Sequence, residues 1–209
     1  MNGLETFEME RRTFAHPVEV RAGADGSTVI EGYAALFNVL SDDLGGFREM
    51  LLPGAFADRL QDDVRALWQH DPLFVFGRTV SGTLELWEDA VGLGYRAQSP
   101  DAQWARDALV SMKRGDVSQS SFAFSVLDGD RWDMGEGGQV IRTVERVARL
   151  YDVSPVTYPA YPQTSAGVAK RAAELRARLA AEINGAGEAE DLRARELLRQ
   201  RVRLTELEI

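Results

Sequence analysis

The sequence predicts a strand-dominated α+β domain followed by a helical tail, and three features of the chain point there. From about Val18 to Val156, short alternating or aromatic-rich runs are cut by Gly, Asp and Asn, which is the pattern of half-buried strands. Two segments within that stretch carry helix-start or helix-stop chemistry instead. Beyond Pro162 the composition turns to Ala, Glu, Arg and Leu, with apolar residues at helical spacing.

The strand segments run, in order, Val29 to Phe37, Thr83 to Trp87, Leu93 to Ala97, Ser121 to Leu127, Val140 to Val147 and Tyr151 to Val156. Six strands are enough to close a small barrel. One helix is expected to open at Pro53, where a fixed φ suits a first turn and the missing N–H leaves no bond unmade. A second is expected from Asp101 to Lys113, stopped by Gly115. In the tail, Ala172, Leu175, Leu179 and Ile183 fall three and four apart, Asn184 to Gly187 breaks the run, and Leu198 and Val202 resume it. Such a tail forms a helical hairpin or coiled coil, or packs on its own chain; a narrow apolar stripe does not name its partner.

Composition excludes several function classes. With 209 residues, 44% of them hydrophobic, the chain can bury one full core and still carry an appendage. It holds no cysteine, so disulfide frameworks, thiolate zinc sites and cysteine nucleophiles are all ruled out, and any nucleophile is oxygen or nitrogen. No apolar run is long enough to span a bilayer, and the opening residues Glu5, Glu8, Glu10, Arg11 and Arg12 do not read as a signal peptide, so a soluble cytoplasmic protein is expected. A net charge of -9 without a basic patch argues against a nucleic-acid binder and favours a protein partner.

Three segments could carry chemistry. His70, in Trp68-Gln69-His70-Asp71-Pro72, sits where an apolar run meets a proline turn, and an imidazole there is either a turn residue or a general base. In Gly115-Asp116-Val117-Ser118-Gln119-Ser120-Ser121-Phe122-Ala123-Phe124, a glycine turn feeds a strand with three candidate hydroxyls, Ser118, Ser120 and Ser121. Alternation places Phe122 and Phe124 on one face and Ser121, Ala123 and Ser125 on the other, although serines after a glycine also simply make turns. Asp152 lies inside the apolar run Tyr151 to Val156, where it either orients a catalytic imidazole or pairs with Arg146 or Arg149. A metal-dependent hydrolase would need several converging ligands, and two histidines without cysteine make a thin set.

Together these segments resemble the phage prohead, or capsid maturation, protease family. The residues that carry the resemblance run in order from Glu31 to about Thr164. They are Glu31-Gly32-Tyr33-Ala34-Ala35-Leu36-Phe37-Asn38, Glu49 with Pro53-Gly54-Ala55-Phe56, Trp68-Gln69-His70-Asp71 and Gly77-Arg78. Gly82-Thr83-Leu84, Gly92-Leu93, Gly115-Asp116-Val117-Ser118, Ser121-Phe122-Ala123-Phe124, Asp152-Val153-Ser154-Pro155-Val156-Thr157 and Pro159-Ala160-Tyr161 complete the set. The family is related to the herpesvirus assembly proteases, which implies a β-barrel ringed by helices over residues 1–164, with the helical tail at 165–209. It also implies a serine endopeptidase without cofactor or metal. Its histidine falls on His70, its serine on Ser121 and its third member on Asp152, with Glu145 as the alternative acid and His16 outside the matched region. The implied substrates are the major capsid protein, scaffold segments and the chain itself, met inside the assembling procapsid in the host cytoplasm, and the implied state is a homo-oligomer, with a dimer as one form. The rival within the same fold is an inactive barrel acting as a scaffold or assembly chaperone.

Overall fold

The computed structural model describes residues 8–14, 16–23, 26–158, 170, 172–174, 177–178 and 181. The chain divides into two compact units, Met1–Ala169 and Lys170–Ile209. The break expected in the tail at Asn184 to Gly187, and the stretch with Leu198 and Val202 after it, lie outside the described residues.

Twelve strands make up the first unit: β1 (Glu10–Phe14), β2 (Glu19–Ala22), β3 (Thr28–Leu36), β4 (Phe47–Leu51), β5 (Arg65–Trp68), β6 (Asp71–Arg78), β7 (Leu84–Glu88), β8 (Gly92–Gln98), β9 (Gln119–Ser125), β10 (Asp130–Met134), β11 (Val140–Val144) and β12 (Arg149–Val156). One α-helix, α1 (Gln103–Arg114), lies between β8 and β9. The strands form a five-stranded sheet in the order β1-β9-β12-β5-β6, a four-stranded sheet β2-β3-β8-β7 and a three-stranded sheet β10-β11-β4. The four- and five-stranded sheets meet through β3 against β9 and β1, and through β6 against β8. Between them Phe56, Phe122, Phe124, Tyr95, Leu93 and Ile30 are fully buried.

The strand-dominated class agrees with the sequence. The six strands read from the sequence correspond to β3, β7, β8, β9, β11 and β12, while β1, β2, β4, β5, β6 and β10 add to them. The hydrogen-bonded strands do not close into one barrel, because β1 and β6 remain as edges of the largest sheet and the rest pair in two other sheets. Among the described residues of the first unit, one α-helix and three short 3-10 turns stand where a ring of helices was expected.

The helix expected at Pro53 is a chain of tight turns ending in a 3-10 turn over Ala57–Arg59. Gly54 adopts a left-handed φ of 91°, and the bonds Ala55 N–H to Leu52, Ala57 N–H to Gly54 and Arg59 N–H to Phe56 all span three residues, so no α-helical turn nucleates. The second helix forms as expected. Gly115 follows it with φ 82°, its N–H donating to Met112 while Asp116 N–H donates to Ser111, the closure a left-handed glycine makes possible at a helix end. That stop aims the chain into β9, the strand that carries Ser121.

Candidate active site

Ser121, Asp152 and His70 come from three consecutive positions across the largest sheet: β9, its antiparallel neighbour β12, and the turn after β5, which runs parallel to β12. On β9 the alternation predicted from sequence is observed. Phe122 and Phe124 stack in the core with centroids 4.8 Å apart, and Ser121 faces the other way toward His70.

Asp152 reaches that same face through an irregularity. Arg149 and Leu150 oppose Ser125 and Phe124, but Asp152, Val153 and Ser154 oppose Ala123, Phe122 and Ser121, so Tyr151 is an extra residue in β12. Without that bulge Asp152 would oppose Phe122 and point into the core, since a one-residue slip exchanges the two faces of a strand.

His70 is presented by a two-residue hairpin turn. Trp68 pairs with Asp71, and the two residues between them, Gln69 and His70, have φ of 56° and 60°. That is the left-handed geometry of tight hairpins whose twist matches the strands, usually filled by Asn and Gly, so its adoption here needs support from neighbours. Gln69 supplies it. Its backbone N–H donates to Pro155 O at 3.1 Å, its Nε2 donates to Thr157 Oγ1 at 2.6 Å, and its Oε1 accepts from Thr157 N–H at 3.1 Å. The turn is thereby tied to the end of β12. Pro72 follows on β6, an edge strand, where a missing N–H breaks no ladder.

These elements bring His70 Nε2 to 2.7 Å from Ser121 Oγ and His70 Nδ1 to 2.5 Å from Asp152 Oδ1. A carboxylate only accepts, so Nδ1 carries the proton that donates to Asp152, which leaves Nε2 free to accept from a hydroxyl. Asp152 also accepts from Ser154 Oγ at 2.8 Å. Ser121 Oγ has a second acceptor within reach, the Arg12 carbonyl at 2.8 Å, and its single proton serves one acceptor at a time. Ser121 has no accessible surface and the His70 side chain retains 9% of its own.

The other sequence candidates stand apart from this constellation. Ser120 lies on the core face, 2.9 Å from the Tyr95 hydroxyl, and burial pushes that phenol far above its ordinary range. Ser118 is exposed ahead of β9. Glu145 is exposed and pairs with Arg131 at 3.3 Å, and His16 packs edge-on against Tyr33. Arg146 pairs with Asp128 and Arg149 lies over the Tyr151 ring, so neither is the partner of Asp152. Among the described residues no group of three or more His, Asp or Glu is arranged to hold a metal ion.

Beside the site, β1 carries charges that composition gave no reason to bury. Arg12 binds Glu49 at 2.8 Å and Glu10 at 2.5 Å, and Arg142 binds Glu10, Glu49 and Asp130 at 2.6, 2.9 and 2.7 Å, all with almost no exposure. Desolvation opposes the charge on Arg142, but Glu49, Glu10 and Asp130 outweigh it and hold its pKa above the ordinary arginine value. The cluster anchors the strand whose Arg12 carbonyl lies on Ser121.

The family model of the caudovirus prohead serine proteases matches residues 16–178. A solved structure, the bacteriophage T4 capsid assembly protease gp21, is similar with a TM-score of 0.45 at 12% sequence identity, covering 73% of this chain and 99% of that one. No curated protein sequence matches. The family match takes in the strands and the turn that carry His70, Ser121 and Asp152, and extends over well more than half of the sequence; the chain belongs to the caudovirus prohead serine protease family.

Proposed function

We propose that this chain is a serine endopeptidase in which Ser121 is the nucleophile, His70 the general base and Asp152 the residue that orients the imidazole. The observation that supports this most is the pair of contacts on one ring, Ser121 Oγ at 2.7 Å from Nε2 and Asp152 Oδ1 at 2.5 Å from Nδ1. His70 takes the hydroxyl proton as Ser121 Oγ attacks the carbonyl carbon of a peptide bond. The imidazolium so formed is stabilised by Asp152 and returns the proton to the leaving amine. Water, deprotonated by His70, then hydrolyses the acyl-enzyme and restores Ser121. For the first step the hydroxyl proton lies toward Nε2 and not toward the Arg12 carbonyl.

The substrates in this reading are the major capsid protein, scaffold segments and the chain itself, cut inside the assembling procapsid in the host cytoplasm. Family membership supports that assignment. Ser121 has no accessible surface, so a peptide carbonyl or a small probe reaches Oγ as the neighbouring chain moves aside. Residues 1–164 carry the protease and the tail, 165–209, holds it among scaffold or capsid subunits until cleavage releases it. The active form is a homo-oligomer.

Co-expression with the cognate capsid and scaffold proteins tests the reading. Intact-mass analysis should find substrates or protease shortened with wild type and full-length with Ser121→Ala. Equal shortening in both, or none in either, would sink it.

A further inference from the structure

We infer that Ser154 is a positioning residue for acyl transfer, acting through Asp152; the inference rests on the serine endopeptidase reading above. Ser154 stands two residues after Asp152 on β12, beyond the Tyr151 bulge, and therefore shares its face. It is the direct cross-strand partner of Ser121. Its side chain is fully buried, and its Oγ donates to Asp152 Oδ1 at 2.8 Å. That is the same oxygen that lies 2.5 Å from His70 Nδ1.

The chemistry follows from what a buried carboxylate requires. An ionised carboxylate removed from water needs donors, and each one it gains restricts its rotation. At this site the two donors on Oδ1 are the imidazole N–H and the Ser154 hydroxyl. Ser154 thus shares the load of stabilising the charge and fixes the carboxylate so that a lone pair meets Nδ1–H. The sequence alone gives this hydroxyl no role, because Val153-Ser154-Pro155 reads as ordinary strand. The bulge that turns Asp152 out of the core turns Ser154 with it, so one irregularity in β12 sets both residues.

The test measures the reaction of the full chain with a fluorophosphonate probe, resolving the maximal inactivation rate from the probe's affinity. Ser154→Ala should lower the rate about tenfold with affinity unchanged, the effect of losing one hydrogen bond to a charged group. Ser154→Thr, which keeps the hydroxyl, should restore most of it. In an Asp152→Ala background, the further change Ser154→Ala should alter the rate by less than about twofold, because its partner is gone. An unchanged rate in Ser154→Ala, or the same tenfold loss with Asp152 absent, would overturn the role. Wild type that labels at Ser121 while Ser154→Ala labels equally fast removes this inference and leaves the protease reading standing; wild type that never labels at Ser121 removes both.

Discussion

Asp152 lies opposite Ala123, one residue out of the register that Leu150 and Phe124 set, because Tyr151 bulges from β12. The bulge moves a carboxylate from the aromatic face of the sheet to the face that holds Ser121, and so brings it within 2.5 Å of His70 Nδ1. Replacing that carboxylate by an amide, Asp152→Asn, keeps the shape but removes the charge and offers an NH2 donor to the imidazole, which favours the tautomer protonated on Nε2. The fluorophosphonate inactivation rate should fall by about 10⁴-fold, the scale of such a change in a Ser-His-Asp site, with the circular dichroism spectrum unchanged. A loss below tenfold would mean that Asp152 does not orient His70.

Ser120 and Ser121 are adjacent hydroxyls that stand on opposite faces of β9. Ser120 is bonded to buried Tyr95 in the core. Ser120→Ala should therefore cost about 1–3 kcal/mol of stability by leaving the phenol without its partner, while the labelling rate at Ser121 stays within about threefold of wild type. Urea unfolding and probe kinetics on the same preparation check both halves. Abolished labelling in a folded Ser120→Ala protein would transfer the nucleophile to Ser120.

The buried cluster of Glu10, Arg12, Glu49, Asp130 and Arg142 ties β1 to β4, β10 and β11. Removing one cation leaves carboxylates uncompensated in the interior. Arg142→Leu should destabilise by about 3–5 kcal/mol in urea unfolding at neutral pH. A change under about 1 kcal/mol would show that the cluster is solvated in solution.

Asp63 precedes β5, and Arg78, at the end of β6, donates to both of its carboxylate oxygens at 2.6 Å, bracketing the base of the hairpin that presents His70. The Arg78 guanidinium, with help from Arg65 and against desolvation, lowers the Asp63 carboxyl from its ordinary 3.8 to about 2. Because the folded-state pKa is the depressed one, the stabilisation is complete above the unfolded value of 3.8 and is lost as pH falls through about 2. An NMR titration of the side-chain carboxyl in low salt should place the midpoint near 2. A midpoint at 3.8 would mean that the ion pair does not persist in solution.

What the sequence made legible follows from pattern. Phe122 and Phe124 alternating with Ser121, Ala123 and Ser125 indicated both the core face and the reactive face of β9, and Gly115 marked the end of α1. The register of β12 was not legible, because a bulge at Tyr151 leaves no compositional trace. The hairpin at Gln69 and His70 was hidden too, since neither residue favours positive φ and the support comes from Thr157, 88 residues away from Gln69. The strand β1 was not legible because Glu10 and Arg12 are charged, and what allows their burial, Glu49 and Arg142, lies far along the chain. The six strands counted from sequence suggested a closed barrel. β1 and β6, which that count did not include, stand instead at the two open edges of the largest sheet.

Whether Ser121 Oγ is the nucleophile is settled by reacting the full chain with a fluorophosphonate and locating the adduct by peptide mass spectrometry. One adduct per chain is expected, on Ser121, absent from His70→Ala and from heat-denatured protein. An adduct on Ser118 or Ser120, or labelling of Ser121 that persists undiminished without His70, would contradict it.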